Sequence, residues 1–415
     1  MTAEDQAPTP GLRARWDTLG TAVALRLEGA EVLRVELPMR SPVATAVGTH
    51  RSRPLTLVHL VCRDLATGAV VDGWGESAAL GDTTYDAEDV AGVWDALVRE
   101  LVPWVAAAAR SLGGLVPSLG SLRPLADAVP DRPLAYSALE AAVADAHLRA
   151  AGLPLAALLG VAGTEVAPGA VVGTAEAPDE VVAAAAGWAE AGYARVKVKI
   201  EPGTEFEVVS ALARWAASVG PGAPALQVDA NGAYGPDDLD RLAALDPFGL
   251  LCIEQPFARG DLAAHRELAD RISTPVCLDE SLDGPASVMA AVGSGACSVV
   301  CVKPARLGGI GNALDVVAWC DSVGVPWWVG GMFESGLGRR VTTVLGALPG
   351  AALPGDLAPP DAYLATDLVA PVAVRRDPGP GGLRVAVSDA PGLAPVPDHD
   401  TVEDRMCQWA EVPLA

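Results

Sequence analysis

The sequence predicts an α/β protein in which a (β/α)8-type barrel, a modified TIM barrel, is capped by an α+β domain. From about residue 166, short apolar runs alternate with helical stretches, which is typical of a parallel sheet covered by helices. Before that point, strand-like runs come first and helical runs follow, which is typical of an α+β domain. The eight barrel strands are predicted at residues 166–173, 195–200, 225–229, 250–254, 275–279, 298–303, 326–330 and 351–356.

Residues 28–160 are predicted to form the α+β capping domain. Two strand-like runs lie at residues 31–37 and 55–62, and the polar, turn-rich residues 41–53 between them are expected to form a loop. Ala- and Leu-rich segments from about residue 86 onward are expected to be helical. This order of elements assigns the capping domain to the part of the chain that precedes the barrel.

The remaining segments are assigned around these two units. With 415 residues, the chain has room for two or three domains. Residues 1–27 show no clear period and are interpreted as an N-terminal extension, while residues 161–359 hold the barrel. Residues 360–415 contain short strand-like runs at 372–376 and 383–387, and they are expected to return and complete the capping domain.

Composition restricts the classes of partner. Hydrophobic residues make up 51% of the chain, which argues against general disorder. A formal net charge of −23 argues against nucleic acid or an anionic membrane surface as a partner. The acidic N-terminus lacks the features of a signal peptide, no apolar stretch is long enough to span a bilayer, and the seven cysteines form no Cys-x-x-Cys pair. We therefore expect a cytoplasmic protein that acts on a small molecule.

Acidic side chains end three consecutive predicted barrel strands. Asp229, Glu254 and Asp279 follow apolar runs at equal intervals of 25 residues. Because one βα unit separates each acid from the next, all three are expected on the C-terminal rim of the barrel. Such carboxylates repel one another unless a cation compensates them, and Mg²⁺ prefers oxygen ligands. The sequence therefore predicts a Mg²⁺ site, in which Mn²⁺ is an acceptable substitute; the alternative is that the acids cap the following helices.

Lysines end two further predicted strands. Lys197 and Lys199 alternate along the second strand and therefore share a face, which we expect to point into the barrel mouth. Lys303 ends the sixth strand and is expected to approach the metal from the opposite side. Repulsion between Lys197 and Lys199, together with the nearby cation, is expected to lower their pKa values toward that of a usable base. The alternative for a lone lysine is a solvated surface charge.

A cation flanked by two amines indicates removal of a proton next to a carboxylate. The substrate carboxylate would bind the metal, one lysine would remove the α-proton, and the cation would stabilise the resulting enediolate. A leaving group on the β-carbon then gives elimination, whereas reprotonation from the opposite face gives racemisation. These residues alone leave the two outcomes open.

The motifs resemble the enolase superfamily and, within it, the muconate-cycloisomerase-like subgroup. The shared pattern is Lys-x-Lys on the second strand, acids on the third, fourth and fifth, and a lysine on the sixth. The resemblance is closest to the o-succinylbenzoate synthase / N-acylamino acid racemase family and runs from about residue 28 to residue 395. It rests on the segments at residues 229–234, 254–256, 278–281, 303–309 and 330–339.

The resemblance implies roles for individual residues. Asp229, Glu254 and Asp279 would bind Mg²⁺, and Glu280 is a weaker candidate. Lys199 would be the general base, tuned by its neighbour on the same strand, and the lysine of the sixth strand would stabilise negative charge or serve as the second base. The residues so assigned to catalysis are Lys199, Lys303 and Lys197. Those assigned to substrate binding are Ser335, Gly336, Arg306, Asn231 and Met332.

The resemblance also implies an activity. The first expectation is a Mg²⁺-dependent o-succinylbenzoate synthase, a lyase that dehydrates 2-succinyl-6-hydroxy-2,4-cyclohexadiene-1-carboxylate in menaquinone biosynthesis. The alternatives are an N-succinyl- or N-acylamino acid racemase, a cycloisomerase, a dipeptide epimerase, and a non-catalytic descendant. Val43 follows Pro42 where the family usually has an aromatic residue, which leaves the substrate open. Self-association into a homo-oligomer is expected, as for other barrels of this kind.

Overall fold

A computed structural model describes residues 11–45, 48–174, 177–379 and 381–414. An antiparallel sheet and a set of helices form its N-terminal part. The described part of the chain starts with a short helix, continues through three strands, and then enters the helices. These elements are α1 (Leu12–Asp17), β1 (Leu25–Thr45), β2 (Gly48–Asp64), β3 (Val70–Ser77), α2 (Val90–Ala96), α3 (Val102–Ser111), α4 (Leu119–Ala128), α5 (Pro133–Ala150) and α6 (Leu155–Leu159).

Seven parallel strands and their helices follow, and the last elements return to the N-terminal sheet. A two-residue strand precedes the barrel, and three short strands and a helix come after it. The elements are β4 (Glu165–Val166), β5 (Gly169–Val172), α7 (Pro178–Glu190), β6 (Arg195–Lys199), α8 (Glu205–Val219), β7 (Ala225–Asp229), α9 (Leu239–Ala243), β8 (Ile253–Glu254), α10 (Leu262–Ala269), β9 (Val276–Leu278), α11 (Pro285–Gly293), β10 (Val299–Val302), α12 (Ile310–Val323), β11 (Trp327–Val329), α13 (Gly336–Gly346), β12 (Val374–Arg376), β13 (Leu383–Ala386), α14 (His399–Arg405) and β14 (Met406–Glu411).

The barrel strands lie in the order β11-β10-β9-β8-β7-β6-β5, all parallel. The eighth predicted strand, at residues 351–356, is not a regular strand but still closes the ring. On one side, the amides of Ala352 and Asp356 donate to carbonyls of β11, each at 2.9 Å; on the other, Gly355 accepts a 2.6 Å hydrogen bond from Gly169 of β5. The predicted fold class is confirmed, with one irregular unit.

The first predicted barrel strand, at residues 166–173, is divided in the structure. β4 pairs with β13 in a separate three-stranded antiparallel sheet, and the barrel begins only at Gly169. Pro168 lies between the two strands and has no N–H to donate to a ladder. One continuous apolar run in the sequence therefore forms strands of two different sheets.

The predicted loop at residues 41–53 is wrong. Within it, β1 runs to Thr45 and β2 begins at Gly48, and the two strands pair as an antiparallel ladder with a register shift between Pro38 and Val43. Backbone pairing reaches most of the described residues of this polar segment, so its composition indicated a loop that the ladder overrides. The side chain of Val43, on which the substrate expectation depended, lies outside the described part of the chain.

Helix α5 packs closely on β3 because the residues that face each other on the two elements have small side chains or none. Nearly every α5 residue from Leu134 to Leu148 is buried, and many are alanines. A Cβ on Gly75 of β3 would collide with the carbonyl oxygen of Ala138, and one on Gly73 would meet that of Ala142. The two glycines allow the helix to lie directly on the sheet.

The first and last described elements are both built into this architecture. β14 pairs antiparallel with residues Glu31–Val35 of β1 and so adds a C-terminal strand to the N-terminal sheet. Within the segment interpreted as an extension, α1 packs against the folded body: Trp16 is 1% exposed, and Arg13 reaches Asp315 of α12 at 2.8 Å. The domain boundaries given above stay predictions. Among the described residues, no helix combines the length and apolar character needed to cross a bilayer.

Candidate active site

The strand ends of the barrel surround one cavity of about 430 Å³ beneath the capping domain. The chain contains only three lysines, and all three line this cavity. β6 contributes two of them, and the third directly follows β10, so they face the cavity from strands four positions apart in the ring. Residues that line the cavity include Lys197, Lys199, Lys303, Asn231, Asp356, Met332, Arg339, Tyr363 and, from the capping domain, Ser41, Pro42, Leu80 and Tyr85.

Lys197 lies deepest, among three carboxylates. Its Nζ is 2.8 Å from Asp356, 3.0 Å from Glu254 and 3.3 Å from Asp229. Burial lowers the pKa of Lys197, but the three carboxylates outweigh it and leave the pKa well above its ordinary value. The expected lowering of this pKa invoked a bound cation as well as the neighbouring lysine, and it stays a prediction for the metal-bound site. Lys197 is a fixed cation that holds the carboxylates together.

Lys199 is the more accessible lysine of β6, with 12% of its side chain exposed. Its Nζ donates to Asp229 Oδ2 and to Asn231 Oδ1, each at 2.7 Å. Asn231 adopts a positive φ of 44°, and its Nδ2 donates to Glu280 Oε1 at 2.8 Å. This unusual backbone conformation turns the amide between Lys199 and Glu280 and fixes the direction of the lysine.

Lys303 lies on the other side of the cavity and shares Asp279 with two further groups. Its Nζ is 2.6 Å from Asp279 Oδ2 and also donates to the Tyr85 hydroxyl, which in turn donates to Asp279 at 2.8 Å. Arg306 donates to the other oxygen of Asp279 and, at 2.6 Å, to Asp86. Burial raises the pKa of Asp279, but Arg306 and Lys303 outweigh it and hold that pKa far below its ordinary value.

The acids on consecutive strand ends fit a divalent cation. β7 and β8 place Asp229 opposite Glu254, and the carboxylates of Glu254 and Asp279 lie within 4.8 Å of each other and of the Cys301 sulfur. Burial and the Asp229 carboxylate raise the pKa of Glu254 to about 8, and burial and Asp279 raise that of Glu280 to about 7. Glu280 Oε2 is buried and has no hydrogen-bond partner among the described residues. Crowded carboxylates, one of which has an unpartnered oxygen, are the donors that a hard cation takes.

The residues assigned to substrate binding lie in two places. Asn231 and Met332 line the cavity. Arg306, Ser335 and Gly336 are not among the described residues that line it. Arg306 is buried beneath the Tyr85 ring, with its Cζ 4.5 Å from the ring centre. Their roles toward substrate stay predictions.

Ser335 begins helix α13 and turns toward the capping domain. Its hydroxyl accepts from Leu337 N at 3.1 Å and donates to Glu76 of β3, and its own amide donates to Glu76 at 3.0 Å. The amide of Gly336 donates to Asp367 Oδ1 at 2.8 Å. Ser335 is therefore a helix cap that joins the two domains in this structure.

Sequence reasoning missed two residues of the site, Asp356 and Tyr85. Asp356 ends the eighth predicted strand, so the rule that selected the other acids would have found it. Its side chain contacts Lys197 and Arg195. Tyr85 lies in an irregular stretch of the capping domain, and no periodicity or motif marks it. The scarcity of lysine was a further signal, because a chain with three lysines places none of them on its surface.

Two family models match the chain and together cover most of it. Residues 28–160 match the N-terminal domain of the mandelate racemase / muconate lactonizing enzyme family, and residues 180–401 match the enolase C-terminal domain-like family. The chain belongs to the enolase superfamily. The resemblance given above is therefore confirmed.

Individual relatives carry the two names that the resemblance implied. The N-succinylamino acid racemase of Amycolatopsis sp is 37% identical over 375 residues, which are 90% of this chain and 96% of that protein. The o-succinylbenzoate synthase of Geobacillus stearothermophilus is 35% identical over 391 residues, which are 94% and 98% of the two chains. A solved structure named as a probable mandelate racemase, from Alicyclobacillus acidocaldarius, is 33% identical with a TM-score of 0.83 and covers 94% of this chain and 98% of that one.

Proposed function

We propose that this member of the enolase superfamily is an o-succinylbenzoate synthase, a lyase that removes water from 2-succinyl-6-hydroxy-2,4-cyclohexadiene-1-carboxylate. The supporting observation is the placement of Lys199 and Lys303, which face one cavity from opposite sides of the ring with buried carboxylates between them. The synthase named in Geobacillus stearothermophilus, which matches nearly the whole chain, supports the same activity.

Asp229, Glu254 and Asp279 would hold Mg²⁺ or Mn²⁺, with Glu280 beside them. When bound, the cation supplies positive charge next to the substrate carboxylate and favours loss of the neighbouring proton. Lys199 accepts that proton on Nζ, and its contacts with Asp229 and Asn231 keep the amine aimed at the cavity. Lys303 holds negative charge from the other side. Lys199 then returns its proton to the departing hydroxide, which leaves as water.

The same two lysines support a second candidate function, racemisation of N-succinyl- or N-acylamino acids. Here Lys199 and Lys303 exchange a proton with the α-carbon from opposite faces, so that one removes it and the other replaces it. The positions of β6 and β10 favour this geometry. The Amycolatopsis relative named as a racemase supports it as well. The homo-oligomeric state and the cytoplasmic location stay predictions.

The synthase proposal is tested by the ultraviolet absorbance of the cyclohexadiene substrate. With Mg²⁺, we expect a rapid loss of absorbance that a chelator prevents. In Lys199→Ala, loss of the general base should slow turnover by about 100- to 10,000-fold. The matched control is Arg214→Met, which removes a cation from the exposed surface of α8.

Folded protein with Mg²⁺ that leaves the absorbance unchanged would remove the synthase proposal. The racemase candidate is then tested by exchange of the α-proton of N-succinylamino acids in deuterated water. Lys303→Met should abolish exchange for one enantiomer and Lys199→Met for the other, because each lysine serves one face. Loss of both exchanges in either variant would contradict the two-sided arrangement.

A further inference from the structure

A buried cysteine lies next to the acids of the barrel rim. Cys301 lies on β10 and precedes Lys303, the residue directly after that strand, by two positions, so both side chains point to the inner face and Cys301 lies one layer deeper. A Cβ on Gly330 would collide with both the Cys301 sulfur and the Lys303 side chain, which therefore lie side by side. Cys301 is 2% exposed.

The Cys301 sulfur forms no hydrogen bond among the described residues and is therefore available to bind a metal ion. The thiols of Cys277 and Cys297 donate to backbone carbonyls, whereas that of Cys301 makes no hydrogen bond among the described residues. The sulfur lies within 4.8 Å of carboxylate oxygens of both Glu254 and Asp279. All three residues are buried, so the cluster is not a chance grouping of surface acids.

One sulfur and two carboxylate oxygens form a donor set for a thiophilic cation. Zn²⁺ binds thiolate at about 2.3 Å and carboxylate at about 2.0–2.2 Å, often with three protein ligands and one open position. To reach those distances, the donors must approach one another, and the cation must replace the contacts of Lys197 with Glu254 and of Lys303 with Asp279. Mg²⁺ does not use sulfur. The site therefore offers two different cations two different sets of donors.

We propose that Glu254, Asp279 and Cys301 bind a thiophilic divalent cation such as Zn²⁺ or Cd²⁺, one layer below the position expected for Mg²⁺. On binding, Cys301 releases its proton to solvent and coordinates as the thiolate. Glu254 and Asp279 serve both positions, so occupation of the deeper one withdraws them from a hard cation held with Asp229. Thiophilic cations then compete with Mg²⁺ and inhibit the enzyme. This inference holds for either candidate activity.

Cd²⁺ alone is the probe, because its bond to thiolate gives an ultraviolet charge-transfer band that needs no substrate and no turnover. The titrations use full-length protein freed of metal and carrying Cys407→Ser, which removes the exposed thiol. We expect a band that saturates at one Cd²⁺ per chain. In Cys301→Ala and in Cys301→Ser, which keeps the size of the side chain, the affinity should fall by more than about tenfold and the band should disappear.

Cys297→Ala is the matched control, because it removes a neighbouring buried thiol that already bonds to a carbonyl. It should keep the band. Glu254→Gln should weaken Cd²⁺ binding while the band remains at saturation. A band that persists in both Cys301 variants, the absence of any band, or unchanged Cd²⁺ affinity in Glu254→Gln would overturn the proposal. Near-ultraviolet circular dichroism verifies that each variant is folded.

Discussion

Two buried acids, Asp279 on the barrel rim and Glu140 between the two domains, are satisfied in different ways. On the rim, both oxygens of Asp279 contact cations, Lys303 on one and Arg306 on the other. Between the domains, Glu140 of α5 accepts instead from the Trp16 indole at 3.1 Å and from the amide of Ile310 at 2.6 Å. The rim acid is held by charges, and the interface acid by N–H donors at the start of α12.

This difference appears in the proton affinities. The cations hold the pKa of Asp279 far below its ordinary value. At the interface, burial raises the pKa of Glu140 to about 7, and burial likewise raises that of Glu76, which accepts from Ser335, to about 7. Asp279 therefore depends on fixed charge for its stability, whereas Glu140 and Glu76 cap helices and bind protons near neutral pH.

The largest effect should follow from neutralising the rim acid. Asp279→Asn leaves the buried Lys303 and Arg306 facing a neutral amide, which should lower the free energy of unfolding by about 3–5 kcal/mol. Urea unfolding in the presence of a chelator measures this without a contribution from bound metal. Asp270→Asn, which removes an exposed partner of Arg266, is the control and should change stability by less than about 1 kcal/mol. Similar losses of unfolding free energy in the two variants would contradict the view that fixed charges stabilise Asp279.

A pH-dependent effect is expected from Glu140. Its raised pKa means that the folded state binds a proton more tightly than the unfolded state, whose pKa is near 4.5. The resulting stability is fully present below pH 4.5 and is lost as pH rises through about 7, in total roughly 3 kcal/mol. In Glu140→Gln this loss should be absent. Urea unfolding between pH 5 and 8 tests it, and parallel curves for the wild type and the variant would contradict the assignment.

A smaller effect should come from the cap of α13. Ser335→Ala removes the bonds to Leu337 N and Glu76, which should reduce the free energy of unfolding by about 1 kcal/mol. Thermal unfolding measures this loss. The KM of the same variant distinguishes the two roles of Ser335. A helix cap should leave KM nearly unchanged, whereas the substrate-binding role that the sequence predicted would raise KM many-fold when Ser335 is lost.

The smallest effect concerns the charge of the whole molecule. At −23, the protein repels an anionic substrate, and the lysines and arginines of the site act against that field only locally. Moderate salt screens the long-range repulsion, so kcat/KM should rise by roughly twofold to threefold when substrate entry limits the rate. A steep fall with salt would show that local attraction controls entry.

The positions of the site residues could be predicted from the sequence in the part of the chain where βα units repeat. Lys199, Asp229, Glu254 and Lys303 could be placed on one rim because each ends an apolar run and one βα unit separates neighbouring runs. Their assignment as a metal site and catalytic groups stays a prediction. The same rule, that a charged residue at the end of an apolar strand lies on the rim, also fits Asp356 at the end of residues 351–356, but it was not applied there.

The capping domain was harder to predict because its contacts are distant in sequence. The polar residues of the β1–β2 hairpin are paired across the ladder, which no local pattern records. Tyr85 reaches Asp279 across 194 positions, and Trp16 reaches Glu140 across 124. The orientation of Ser335 depends on Glu76, which lies in the other domain. A single sequence specifies these contacts only through the completed fold.

The irregular segment at residues 351–356 has a consequence for biosynthesis. A chain is synthesised from its N-terminus, and domains that are complete can fold during synthesis. Here the barrel closes only through residues 351–356, and the N-terminal sheet receives its fourth strand only from residues 406–411. Neither domain can be completed while the ribosome is still making the barrel. Both domains therefore wait for segments that follow the seven regular barrel strands in the chain, and neither reaches its native structure before those segments are made.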